Sequence, residues 1–463
     1  MNYNSFVYDQ QLKTNAPMQM AYAIVEFRSL DSYDGDFGFD WFRVGDCGDK
    51  AFKDIIISPL SQLENEYKKF NVPDSENQEK FIPYYIPYLS LYSDKVSATV
   101  KEGEKPPYKA ELRMSLRILS ELEKIEFDYN EKYFSIKLDG KEQKVLPEKS
   151  LVPCEKHFLS YTIQITCRIK EEDTAATGKG QTKKTTDKAE DGFRENKEIK
   201  VWAYPKGDKD GKYRKLAGKI ILPMNDSFHR GRKNVVFVKV KTDIEDTKTY
   251  PKSNNGVQDK EISRLKKALY QSLTYTATEK YSEILDLTDN NDFKIIRKEG
   301  KEVFGKFIYQ KGITKVPSGM DKNKTTDKQL FQDHPKFFST LRQLFLDLPK
   351  NTKYKNYIIA FYFEESTYDT FVLPSREWGL VPGQIEEIGK KTLAVFAKHY
   401  DDTLAHETLH ACGLYHPFDK QSKHQFQKHM TDNIMDYRKD ESEPFKTFTW
   451  AWQWKIVNQK LRI

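Results

Sequence analysis

The sequence predicts an α+β protein, with β-rich, sandwich-like modules in the first half followed by a mixed sheet with packed helices. Three observations carry this expectation. Short runs alternating apolar with polar residues, separated by turn residues, recur between 116 and 230. From Asn234 onward, strand-like runs alternate with amphipathic helical stretches. A chain of 463 residues also exceeds what one ordinary core organises. The expected division is a first β-containing module over 1–115, a second over 116–230 and a third over 231–463.

Within the first module, 22–28 (YAIVEFR) alternates as a strand does. The stretch SYDGDFGFDWFRVGDCGD that follows is dense in Gly, Asp and aromatic residues, which suits tight turns between short strands. The prolines of 81–88 (FIPYYIPY) forbid a central strand. In the second module, 133–138, 159–168, 199–204 and 215–222 read as strands. The segment 170–200 holds eight basic and eight acidic residues. With almost nothing to bury, it reads as a long mobile hairpin loop that activity does not need.

In the third module, 235–240 (VVFVKV) is a strand. The next stretch, 261–273, places Ile262, Leu265, Ala268, Leu269 and Leu273 on one helical face. A strand at 284–287, a polar loop at 310–335, a helix at 337–348 and strands at 357–363 and 393–396 follow. Trp450, Trp454, Val457 and Leu461 fit one face of a terminal helix, although Trp450, Trp452 and Trp454 also alternate like a strand.

Bulk composition excludes several classes. Hydrophobic residues are 38%, aromatic residues 13% and charged residues 31%, which is too apolar for general disorder. A net charge of +7 over this length is a mild excess, and no basic helix or aromatic RNA-binding strand accompanies it, so no nucleic acid is expected. The cysteines Cys47, Cys154, Cys167 and Cys412 form no CxxC pair and are too sparse for a disulfide scaffold. Cys154 and Cys167 could pair across neighbouring strands, or remain buried thiols. The first twenty residues lack a basic stretch followed by an apolar one, so no signal peptide is expected. No apolar run approaches the roughly 18 residues that span a bilayer. The protein is therefore expected to be made in the cytoplasm, with any export using a specialised route.

The densest chemistry is AHETLHACGLYHPF, from 405 to 418, which holds three of the nine histidines. Asp401 or Asp402 could cap a helix starting at Thr403. On that helix His406 and His410 lie four residues apart and leave one face, the bite of a divalent metal such as Zn²⁺. Glu407 cannot ligate well, but it can reach a water at an open coordination position as general base. Gly413 suits a left-handed helix end, which would swing His416 back as a third ligand. Three imidazoles leave one position open, the catalytic arrangement. Cys412, inside this stretch, reads as a small core residue. His399, His424 and His429 flank it and read as solvated loop residues, of which one could contact substrate.

HETLHACGLYH, followed by NIMDY at 433–437, resembles the metzincin zinc metallopeptidases, whose long zinc motif precedes a methionine turn. The resemblance spans about 234–463. It implies zinc held by His406, His410 and His416, Met435 beneath the metal, and Tyr437 as a movable fifth ligand. A core tyrosine is the alternative for Tyr437. The edge segment at 380–388 between two strands is similar to the family as well. More weakly, SYDGDFGFDWFRVGD resembles modules of bacterial effectors exported by contact-dependent, type VI-like contractile systems. These resemblances imply a zinc-dependent endopeptidase acting on protein or peptide substrates, exported as a toxin, with a secretion-apparatus component and an immunity protein as partners. The alternative is a structural or adaptor component of such an apparatus with a vestigial metal site.

Overall fold

The structure, a computed structural model, describes residues 21–44, 54–74, 77, 80–98, 105–151, 158–170, 191–242, 244, 256–278, 283–310, 328–330, 334–365, 367, 381–397, 399–440 and 442–463. It is a mixed α/β protein with many strands in several sheets and few helices. The chain divides into two compact units. The first comprises 1–43, 61–229 and 462–463, and the second 44–60 with 230–461.

Two sheets build the first unit. One runs in the order Ala23–Ser29, Lys109–Ile118, Leu159–Cys167, Phe134–Leu138, Lys141–Glu142. The other runs Val145–Pro147, Leu122–Asp128, Lys197–Pro205, Lys215–Leu222, Tyr88–Ser90, Gly38–Asp40. Alternate residues point inward, as the strand period requires: Val25 and Phe27, Leu112, Met114 and Leu116, Ile163 and Ile165 from the first sheet are buried. Ile125 and Phe127, Ile199, Val201 and Ala203 from the second sheet are also buried.

Strands from 1–115 thus pair with strands from 116–230, and the two modules expected there form one unit. The division at 115 falls inside Lys109–Ile118, a ten-residue strand whose alternation is diluted in the sequence by its intervening Glu and Arg residues.

The loop at 170–200 is also corrected. Phe193 is buried and its N–H donates to Asn225 Oδ1 at 2.9 Å. Lys197–Pro205 is an interior strand of the six-stranded sheet. Two apolar residues, Phe193 and Ile199, outweigh the charged company they keep in sequence, so removing all of 170–200 would remove core. Residues 171–190 lie outside the described residues. Cys154 does too, while Cys167 is a buried free thiol that burial pushes up to about 12. Pro83 sits in the separate two-stranded hairpin Lys69–Pro73 with Phe81–Tyr85, as a residue without an N–H must.

The second unit is organised by a sheet in the order Thr274–Thr278, Gly231–Lys241, Ile358–Tyr362, Thr392–Val395, Gly383–Ile385. Glu283–Asp286 continues the first edge, beside the far end of Gly231–Lys241. All pairings are parallel except that of the last strand, which runs antiparallel along the edge. Both faces are covered, which explains the unbroken apolar run of 235–238. Val235 and Phe237 pack with Leu265 and Leu269 of helix Asp259–Tyr270 and with Leu404 and Leu409 of helix Thr403–Ala411. On the opposite face Val236 and Val238 meet Phe337, Leu341 and Phe345 of helix Phe337–Leu346. The terminal tryptophans resolve to helix Ala451–Val457, with Trp450, Trp454, Val457 and Leu461 buried. No helix among the described residues is long and apolar enough to cross a membrane.

The second unit also includes a short piece of the N-terminal stretch. Ile56 forms an antiparallel bridge with Phe426, bracketed by Ile57 N–H to Gln425 O at 2.7 Å and Gln427 N–H to Ile55 O at 2.8 Å. Trp450 Nε1–H donates to Asp54 Oδ2 at 3.2 Å, and both residues are buried. Asp54→Ala strands a buried indole donor, so the second unit should lose about 1–3 kcal/mol. Urea unfolding followed by tryptophan fluorescence measures it. An unchanged midpoint would show that this contact contributes nothing.

Candidate metal centre

Helix Thr403–Ala411 starts without the cap expected from sequence. Asp402 occupies the N-cap position but its carboxylate makes no capping bond, and Asp401 pairs with Lys260 Nζ at 2.7 Å. Thr403 Oγ1 accepts from Tyr400 N–H at 3.0 Å and so closes the turn that leads into the helix. The helix is buried on nearly every side, because Leu404, Ala405 and Leu409 face the core. At its other end Gly413 takes a φ of 104°, a conformation that side chains with a Cβ resist. Gly413 N–H bonds His410 O at 2.9 Å and Leu414 N–H bonds Leu409 O at 3.1 Å, the paired contacts that end a helix in a left-handed residue. This reversal brings His416 back to the helix. Cys412 is a buried free thiol packed in the core.

The three imidazoles converge. Nε2 of His416 lies 3.2 Å from Nε2 of His406 and 3.1 Å from Nε2 of His410. Each ring is turned by its other nitrogen. Nδ1 of His406 meets Ile434 O at 3.0 Å, Nδ1 of His410 meets Leu414 O at 2.6 Å, and Nδ1 of His416 meets Asp419 Oδ2 at 3.0 Å. These oxygens only accept, so in the neutral rings each Nδ1 carries the proton and each Nε2 presents a lone pair.

Burial pushes all three rings down: His406 is lowered, His410 well below its ordinary value, and His416 to about 3. Asp419 therefore accepts from a neutral His416 ring and does not pair with a charged one. Neutral imidazoles are the form a metal takes. Three lone pairs this close repel one another unless a cation shares them. A metal bound at about 2.0–2.1 Å in tetrahedral geometry spaces its nitrogens about 3.3 Å apart, close to what is found. The residues fit a metal ion, and the triad is the group of His, Cys, Asp and Glu side chains among the described residues that could hold one.

The turn at 433–437 packs into the same core as the helix and meets one ring of the triad. Met435 is fully buried in the core that contains Leu409 and Leu414. Asn433 shapes the turn, its Oδ1 accepting from Met435 N–H at 3.0 Å and its O from Asp436 N–H at 2.9 Å. The turn's Ile434 carbonyl is the one that orients His406. Asp436 ties the turn down by accepting from the N–H groups of His429, Thr431 and Tyr437, from Thr431 Oγ1–H and from buried Lys446 Nζ. No periodicity in the sequence marks Asp436, Lys446 or Asp419, because hydrogen-bonded partners need proximity in space and not spacing in the chain.

Glu407 and His406 line a cleft of about 470 Å³, together with Gly383, Tyr400, Asp402, His429 and Tyr437. The Glu407 carboxylate makes no hydrogen bond among the described residues, and burial pushes it up to about 8. A cation held by the neighbouring imidazoles would pull it down again. Gly383, on the edge strand, permits this arrangement. A Cβ there would lie 2.5 Å from Thr403 Cγ2 and 3.0 Å from Glu407 Cγ. Tyr437 is 41% exposed, with its ring centroid 5.9 Å from that of His406 and 4.8 Å from that of His416. It is not a core tyrosine.

The flanking histidines separate. His424 is buried against Trp452, and His399 lies half-buried within the second unit. Only His429 of the three lines the cleft. It holds a left-handed backbone at φ 69°, and Nδ1–H donates to Tyr437 O at 3.0 Å. His399 Nδ1 faces Phe396 O at 2.8 Å and Nε2 faces buried Glu261 Oε1 at 3.1 Å. Burial alone would lower its pKa, but the hydrogen bond and charge of Glu261 outweigh that and raise it. The stability this pair contributes is present below the unfolded histidine value, about 6.5, and is lost as pH rises through the higher folded value. The unfolding midpoint should therefore fall over that window, and His399→Gln should flatten the fall. Equal slopes in both proteins would remove this pair as the cause.

A scan of family models and a search of curated proteins give no match to this chain.

Proposed function

We propose that the second unit is a zinc-dependent endopeptidase of metzincin-like design. The observation that carries this reading is the juxtaposition of three converging imidazole lone pairs with the Glu407 carboxylate, which is buried, unbonded and open to one cleft. Bound there, zinc would polarise the scissile carbonyl and acidify an attacking water. Glu407 takes the water's proton and delivers it to the leaving nitrogen. Ile434 O, Leu414 O and Asp419 hold the ligand rings in the required tautomer. Tyr437, partly exposed beside His406 and His416, donates to the oxygen that gains charge. Gly383–Ile385, at the sheet edge, offers main-chain groups along which an extended substrate can lie. His429, lining the same cleft, contacts that substrate.

An adaptor with a vestigial site has no need for an unpaired buried carboxylate, which is costly to keep. The Glu407 environment therefore favours the enzyme. Export as a contact-dependent effector, opposed by an immunity protein, rests on the stretch at 32–46 alone. Its aromatic residues Phe37, Phe39 and Trp41 are buried, so they also serve the core of the first unit. The test of the peptidase reading is cleavage of denatured casein by the full-length protein. Activity should vanish on chelation and return with Zn²⁺. Cleavage that survives complete metal removal would sink it.

A further inference from the structure

The first unit carries a pocket that the peptidase reading does not use. It has a volume of about 210 Å³ and lies against the outer face of Ala23–Ser29 and Lys109–Ile118, under the hairpin of Lys69–Pro73 and Phe81–Tyr85. The lining mixes apolar and aromatic side chains, Ile24, Val72, Ile82, Phe42, Tyr85 and Phe158 among them, with the charged groups of Glu26, Arg28 and Arg117. Phe42 and Tyr85 stack at 4.1 Å to form one wall.

The polar groups of the pocket are nearly all engaged. Tyr84 Oη–H donates to Val25 O at 2.8 Å, and Tyr85 Oη–H to Glu64 Oε1 at 2.7 Å. Glu26 accepts from Arg28 at 3.3 Å. The exception is Arg117, which stands opposite Ile24 in the sheet register. Its guanidinium carbon lies 4.2 Å from the Phe158 ring centroid, and it has no carboxylate partner among the described residues. A guanidinium stacked on a ring keeps its N–H edge for a bidentate acceptor.

We propose that this pocket binds the free C-terminus of a partner polypeptide whose last side chain is apolar. Arg117 pairs with the terminal carboxylate, and the space between Ile82 and the Phe42–Tyr85 wall takes the side chain. One unpaired cation asks for one anion. A sugar ring is disfavoured, because its hydroxyls would find the remaining polar groups already bonded and would be left unsatisfied. A polypeptide is favoured over a small apolar acid because the apolar rim stays open to chain passing over it. Phe158 is 43% exposed and Ile82 41%, which leaves both able to touch the residue before the terminus. Capture of a terminal carboxylate is a recurring mode of peptide recognition. The proposal stands whether or not the second unit is a peptidase.

The test is fluorescence anisotropy with the full chain carrying Glu407→Gln, so that the probe is not consumed. The probe is a labelled Gly-Ser hexapeptide ending in Phe, as the free acid and as the amide. The free acid should bind at least about tenfold more tightly than the amide, a difference of about 1.4 kcal/mol. Arg117→Gln should abolish that preference, and Arg117→Lys should keep only part of it, because an ammonium is a point charge. Equal binding of acid and amide, no binding by the parent protein, or an undisturbed preference in Arg117→Gln would each overturn the proposal. So would phenylpropionate binding as tightly as the peptide, which would assign the pocket to a small apolar acid.

Discussion

Replacing Glu407 with Gln is expected to lower peptide hydrolysis by about 10²–10⁴-fold while leaving bound metal and fold unchanged. The substitution keeps the side chain's size, in a place where size matters. Glu407 Cγ would be 3.0 Å from a Cβ at position 383, so the helix and the edge strand leave little slack. What is lost is the capacity to take a proton. The ligands are untouched, because their rings are oriented by Ile434, Leu414 and Asp419 and not by Glu407. The measurement is casein or quenched-peptide cleavage beside metal content on the same preparation. If the protein is an exported toxin, the variant should be exported normally and fail to harm a target cell. Full activity in Glu407→Gln would remove Glu407 as the base and restore the adaptor reading.

His410→Ala should reduce bound zinc from one per chain to near none, as measured by metal analysis after dialysis. His410 is the most enclosed of the three ligands, only 4% exposed, and its Nε2 faces His416 at 3.1 Å. Two remaining imidazoles cannot complete the site. Anything that binds only the folded state stabilises it by mass action. A chelator should therefore lower the thermal midpoint of the parent protein and leave that of His410→Ala unmoved. Stoichiometric zinc in the variant would place the metal elsewhere.

Much of the site is legible in the chain because helix geometry is local. His406 and His410 share a face at any i, i+4 spacing, and Gly413 signals the reversal that returns His416. Their convergence needs only some ten residues of backbone to follow standard rules. The strands at 235–240 and 357–363 and the helix face from Ile262 to Leu269 are legible for the same reason, since period and apolarity coincide there.

Pairing between distant segments is decided in space. Nothing local shows that Ala23–Ser29 pairs with Lys109–Ile118, or that Ile56 bridges Phe426 370 residues later. These choices depend on which apolar faces meet once the chain collapses. Within 170–200, charge density masks Phe193 and Ile199, because burial follows individual side chains and not window averages. The Ile434 carbonyl likewise reaches His406 from 28 residues away, whereas Asp419 meets His416 only three residues off and is missed because no repeating pattern marks it. Composition and period thus determine the helix that carries His406 and His410 and the classes of element around it. Register, partner choice and the carbonyl of Ile434 that turns the His406 ring are settled by the folded structure, where the contacts that decide them first exist.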